Sequence, residues 1–128
     1  MLRALLILVA LAVNPTQGRA DTTGLDLLRG CREAIRLADG IRVEGDAILR
    51  AAQCMGYLSA FLDFNQVVIA VRGPEAAFFC SPPSGIQTEQ VTRVVHKWLS
   101  ENPKDLHMPA RMNVLIALHK AYPCAKPR

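Results

Sequence analysis

The sequence predicts an all-α fold, a small four-helix-type bundle stapled by two disulfides. Three observations predict it. Four segments between glycine and proline breaks carry apolar residues at helical spacing, no segment sustains polar/apolar alternation, and four cysteines form an even set in a chain that begins with an export signal. The breaks are Gly40 with Gly45, Pro74, the run Pro82-Pro83-Ser84-Gly85, and Pro103 with Pro109.

The first helix is predicted over about residues 23–37, with Thr22 or Thr23 as its N-cap and Leu25, Leu28, Cys31, Ile35 and Leu37 on one stripe. The second, over about 46–71, is apolar on more than one face and reads as the central helix of the bundle. Its β-branched end, Val67 to Val71, is expected to fray or pack in another form. The third carries Val91, Val94, Val95, Trp98 and Leu99 at i, i+3, i+4, i+7 and i+8, with Arg93, Lys97 and Ser100 opposite. The fourth begins near Pro109, suited to a first turn, and places Met112, Leu115, Ile116, His119 and Tyr122 on a common face.

Ahead of these helices, Met1-Leu2-Arg3 is followed by an apolar run from Ala4 to Val13, a basic n-region and an h-region. A spanning helix needs roughly 20 apolar residues, and this run ends at Asn14-Pro15. Gly18-Arg19-Ala20 supplies the small residues of a cleavage site, so residues 1–20 are expected to be a signal peptide removed after about Ala20. The remaining unit, residues 21–128, is one domain. With no cysteine before Cys31 it has no lipidation site, and it is expected to be soluble in the periplasm, without membrane attachment after cleavage.

Without the leader the chain keeps 13 basic and 11 acidic side chains, scattered along its length. Nucleic-acid binders cluster Lys and Arg with aromatics between them, so no nucleic-acid partner is expected. The four cysteines allow three pairings. A helical hairpin turning near residues 41 and 42 brings Cys31 and Cys54 to the same height. Cys80 precedes the third helix and Cys124 follows the fourth, so an antiparallel third and fourth helix returns these two to the same side. The expected bridges are Cys31–Cys54 and Cys80–Cys124, each stabilising the fold by about 3 to 4 kcal/mol.

Catalytic apparatus is not legible. No C-x-x-C, H-E-x-x-H, G-x-S-x-G or P-loop occurs, no histidine lies at ligand spacing from a cysteine, and Asp63 and Glu89 are single carboxylates. No metal, no cofactor and no enzymatic activity are expected. His96 reads as a boundary residue, His119 as partly buried and hydrogen-bonded, and His107 as an exposed loop residue available for recognition. The aromatics read mostly as core, and Gly56 inside the second helix as a place where another helix comes close.

Several short motifs follow one another along the chain: Cys54-x-Gly56-Tyr57-Leu58 with Asp63 downstream, Phe79-Cys80-x-Pro82, Gln90 leading into Val94-Val95-x-Lys97-Trp98-Leu99, Asn102-Pro103, and Leu106-His107-x-Pro109-Ala110. They close with Ala117-Leu118-x-x-Ala121-Tyr122-Pro123-Cys124. In this the chain resembles the Tai/Rap family of immunity proteins, which protect bacteria against peptidoglycan amidase effectors delivered by type VI secretion. Ala60 stands where a second glycine is common, and the loop from Pro83 to Gln87 is one residue longer than the pattern.

The resemblance implies a periplasmic, disulfide-bonded homodimer that binds a cognate amidase and blocks its cleft. The motif residues Gly56, Tyr57, Asp63, Pro82, Trp98, Pro109, Tyr122 and Pro123 then read as structural. Partner binding is expected on the less constrained loops: Lys104, Asp105, His107 and Met108 between the two prolines, with Ser84 and Gln87 as a second patch. The alternative is a small periplasmic helical chaperone, or an orphan binding protein without a cognate toxin.

Overall fold

The structure, a computed structural model, describes residues 21–125. The predicted leader, residues 1–20, lies outside the described residues. Four α-helices follow in order: α1 (Gly24–Ala38), α2 (Asp46–Arg72), α3 (Thr88–Glu101) and α4 (Ala110–Ala121), with short 3-10 turns at Pro74–Ala76 and Pro103–Asp105. Among the described residues there is no strand; a single bridge pairs Thr23 with Pro109.

Local chemistry sets the ends. Thr23 caps α1 through a reciprocal box: its hydroxyl accepts from the Asp26 amide at 3.2 Å while the Asp26 carboxylate accepts from the Thr23 amide at 3.0 Å. These bonds hold the Asp26 carboxyl below its usual value. At the other end Gly40, at φ 76°, takes the left-handed position, and the amides of Gly40 and Ile41 donate to Leu37 and Arg36 carbonyls. The chain reverses there into α2. That helix stays regular through Arg72, without the fraying expected of its β-branched end, and stops at Gly73 (φ 94°) before Pro74. Pro109 is the N-cap of α4, one position earlier than a first-turn proline.

The core is made of Leu27, Cys31 and Ala34 of α1, Ala51, Cys54 and Leu58 of α2, Phe79 of the segment between α2 and α3, Val91, Val95 and Leu99 of α3, and Ala110, Val114, Ala117 and Leu118 of α4. Three sequence expectations are corrected by it. On α1 the covered stripe is Leu27, Cys31 and Ala34, while Leu25 and Leu37 are exposed. On α4 the covered side is Ala110, Asn113, Val114, Ala117 and Leu118; Met112 and His119 lie exposed on the opposite side. And α1 and α3, not α2, are central: each packs on all three other helices, whereas α2 leans on α1 and α3 and leaves one side open.

The Cys31–Cys54 bridge closes the α1–α2 hairpin, and the Cys80–Cys124 bridge joins the segment before α3 to the end of α4. The close helix approach falls at Gly30, where a Cβ would lie 2.6 Å from the Arg50 carbonyl. Gly56, expected to serve this purpose, faces open space. Its side of α2 is the uncovered one.

Glu33 is a buried carboxylate on α1, 3 % exposed, held by Arg32 at 3.2 Å and Arg36 at 2.9 Å. Burial opposes its ionisation, but the bonds and charges of the two arginines outweigh it and keep its carboxyl below the usual 4.5. Its stabilising contribution is therefore complete above about that value and is lost as pH falls through the depressed one. Glu33→Gln is expected to lower the urea midpoint at pH 7 and to flatten its decline between pH 5 and 3; an unchanged acid limb would remove this assignment.

Candidate functional site

The segment between Pro103 and Pro109 is exposed yet held from both sides. Within it, the Asp105 amide donates to the Asn102 carbonyl at 3.0 Å and the Met108 amide to the Asp105 carbonyl at 3.1 Å. The start of α1 presents amides with no partner inside the helix, and this loop supplies them: Gly24 donates to the Met108 carbonyl at 2.9 Å and Leu25 to the Leu106 carbonyl at 3.0 Å. In return the Ala110 amide donates to the Thr22 carbonyl at 2.7 Å, and buried Asn113 donates its amide to the Asp105 carbonyl at 3.1 Å. Gly24 is required for this approach, since a Cβ there would stand 2.6 Å from the Asn113 amide and 3.1 Å from the Leu106 backbone.

The side chains of Lys104 and His107 remain exposed on this fixed backbone, with Asp105 and Met108 half-buried beside them. The loop is anchored through Thr22 to a polar groove lined by Asp21, Thr22, Asp26, Arg29, Arg50 and Gln53, and Arg111 pairs with Asp21 at 3.1 Å. Sequence reasoning missed Gly24, Asn113 and this groove. The glycine at position 24 was a visible signal, but its reason, the later loop at Leu106 and Met108, was not.

Ser84 and Gln87 are also exposed, on a turn in which the Gly85 amide donates to the Pro82 carbonyl at 2.8 Å. This turn precedes α3 and the first loop follows it, so the 14 residues of α3 separate the two patches by roughly 20 Å. They do not form one surface.

The structural motif residues are placed as follows. Tyr57, Trp98 and Tyr122 pack half-buried against the core, and the Lys120 ammonium lies 4.3 Å from the centre of the Trp98 ring. Asp63, Pro82 and Pro123 are exposed. The polar residue that organises this region is instead Asn65, 1 % exposed, which accepts from the Phe78 amide at 2.9 Å and donates to the Phe79 carbonyl at 3.0 Å. Phe79 enters the core; Phe78 and Phe64, expected there, stack on each other in the open. His119 is more exposed than expected, with Nδ1 3.0 Å from the Phe78 carbonyl, and burial together with the Arg32 charge pushes His96 down.

Among the described residues no three His, Cys, Asp or Glu side chains gather where they could hold a metal, and all four thiols are in disulfides. What the arrangement offers is a rigid, mixed-charge surface on a cross-linked helical scaffold.

The family model of the Rap1a immunity proteins matches residues 23–124. The chain belongs to that family. Membership makes it an immunity protein directed at a secreted effector, in a family that generally works without enzymatic activity and whose members are typically secreted or periplasmic. The match to the Rap1a family spans both disulfides, the bracketed loop and all four helices. No curated protein and no solved structure matches the chain.

Proposed function

We propose that this Rap1a-family protein acts in the periplasm, after loss of residues 1–20, by binding a peptidoglycan amidase effector of type VI secretion and covering its cleft. The observation that carries the reading is the loop from Pro103 to Pro109, whose backbone is tied to α1 and α4 while Lys104 and His107 stay exposed. A loop ordered before binding loses little conformational entropy when it enters a cleft, so its contacts are retained as affinity. Lys104, Asp105, His107 and Met108 are the contact residues in this reading, and the homodimer that the resemblance implies is part of it. Ser84 and Gln87 are too far away to enter the same cleft and would touch the rim or nothing.

The test is a titration of the oxidised mature protein against a candidate peptidoglycan amidase encoded near its gene, following peptidoglycan cleavage and co-elution. Stoichiometric inhibition is expected. Lys104→Ala with His107→Ala should weaken it on the order of a hundredfold, as for two residues at the centre of an interface, while Ser84→Ala with Gln87→Ala changes it by less than about threefold. Full inhibition by the first double variant would remove the loop assignment.

A second reading has one observation in its favour. The open side of α2 exposes Leu49, Phe64, Val67 and Val71, as a periplasmic helper holding unfolded clients would. Full amidase activity in excess folded protein, together with suppression of client aggregation, would favour that reading.

A further inference from the structure

The last turns of α4 border a hollow that the reading above does not use. Ala77 and Phe78, just after the Pro74–Ala76 turn, line one side, and Leu115, Ile116, His119 and Lys120 of α4 line the other, around about 430 Å³. That volume falls within the roughly 300–1,000 Å³ of small-ligand pockets. The bracketed loop ends at Pro109, and ten residues of helix, roughly 15 Å, separate it from His119. The two sites are distinct.

The wall of this hollow is fixed in advance. The Phe78 amide donates to Oδ1 of Asn65 at 2.9 Å. Its carbonyl lies 3.0 Å from Nδ1 of His119 and, having no proton to give, accepts from it. With both sides of the residue tied, Phe78 keeps its ring 40 % exposed beside Leu115 and Ile116, stacked on Phe64. A ligand entering here orders little of the protein, so its contacts are retained as affinity.

Charge is arranged on one side only. Leu115 and Ile116 stand one turn before His119 and Lys120, so over about 6 Å of α4 the lining passes from apolar to basic. No acidic side chain lines the hollow, and among the described residues Lys120 pairs with no carboxylate. Its ammonium instead lies 4.3 Å from the centre of the Trp98 ring. Basic residues in a last turn complement the helix dipole. The dipole does not explain the apolar hollow that they overhang.

We infer that this hollow binds a small single-chain amphiphile with an anionic head, of the class of a medium-chain fatty acid. The chain lies along Ala77, Phe78, Leu115 and Ile116, and the carboxylate sits beside Lys120. An apolar floor with an unpaired cation at one edge is the complement of such a molecule, and the volume admits one short chain and not the paired chains of a membrane lipid. The inference is independent of which effector the protein binds.

The probe is decanoate, titrated below its micelle-forming concentration into the oxidised mature protein. Affinity is read by calorimetry and location by the emission of Trp98, the one tryptophan of the chain. Saturable one-to-one binding at or below about 100 µM is expected, with a change in Trp98 emission as the ammonium above its ring turns to the carboxylate. Octanoate, shorter by two methylenes, should bind on the order of tenfold more weakly. Lys120→Gln alters an exposed side chain and should weaken decanoate by about tenfold while leaving uncharged decanol unchanged, which a merely structural lysine would not do. Ala77→Phe, at an extended backbone position (φ −59°, ψ 134°) that any residue adopts, fills the hollow and should abolish binding of both probes with helicity unchanged.

No saturable binding up to about 1 mM, or equal binding of decanoate by parent and Lys120→Gln, overturns the proposal. Binding lost in Val67→Ser but kept in Lys120→Gln overturns it in favour of the open side of α2. Co-sedimentation with phosphatidylglycerol vesicles that Lys120→Gln abolishes, without binding of free decanoate, overturns it in favour of a membrane surface.

Discussion

Replacing Cys31 and Cys54 together by alanine is expected to lower unfolding stability by about 4 kcal/mol. The bridge spans 23 residues and joins the two helices of the first hairpin. Restricting an unfolded loop of that size accounts for about 3.4 kcal/mol in the chain-entropy model. Both residues are within 1 % of complete burial, among Leu27, Ala51 and Leu58, so removing the sulfurs also leaves a small void in the centre of the core. A domain of this size has a net stability of about 5 to 15 kcal/mol, so the loss is a large share of the whole. Urea unfolding should show a lower midpoint with a steeper slope, because the unfolded chain without the cross-link exposes more surface, and Tm should fall by about 15 °C or more. A double variant within about 1 kcal/mol of the parent would mean that the unfolded chain keeps the hairpin contact without the bond. The Cys80–Cys124 bridge, half-exposed at both ends, is the one expected to yield first to a graded dithiol, because its sulfurs are the more accessible.

Asn65→Ala is the second large effect, at about 3 kcal/mol. Among the described residues the side chain is the one hydrogen-bond partner of the Phe78 amide, and it also satisfies the Phe79 carbonyl. Truncation leaves the buried Phe79 carbonyl and the part-buried Phe78 amide without this partner, at a cost of about 1 to 3 kcal/mol for the former and less for the latter. It also releases the segment that carries Phe79 into the core and aligns Cys80, whose amide donates to the Tyr122 carbonyl at 2.9 Å. The control is Asp63→Ala, two residues earlier and exposed, which should stay within about 0.5 kcal/mol of the parent. Equal losses from the two variants in thermal melts would show that helix propensity, and not the tie to residues 78 and 79, is being measured.

This pair shows where sequence reading reaches its limit. Asp63 stands out because it belongs to the pattern that carries the family resemblance, whereas Asn65 looks like one polar residue in an apolar helix. Its partners lie 13 and 14 residues away, beyond a helix end and a proline turn. A long-range bond from a side chain to a backbone leaves no periodicity to read. The same holds for Gly24 and Asn113, whose roles exist only because a loop 80 residues on returns to the start of α1.

By itself the sequence determined the four helices, the breaks between them and the cysteine pairing. These depend on nearby chemistry: the Thr23–Asp26 box, left-handed glycines at 40 and 73, prolines at 74, 103 and 109, and two hairpins that bring paired cysteines to equal height. Only the tertiary structure decided which side of each helix is covered. Helices α2 and α4 are apolar around most of their circumference, so spacing alone selects no face. The side that becomes core is the one a neighbour happens to occupy. For α4 that was the Ala110–Val114–Ala117 side, not the side of Met112 and His119. For α2 it left Leu49, Gly56, Ala60 and Val67 open. Burial is a property of pairs of elements, and a one-dimensional pattern records only one member of each pair.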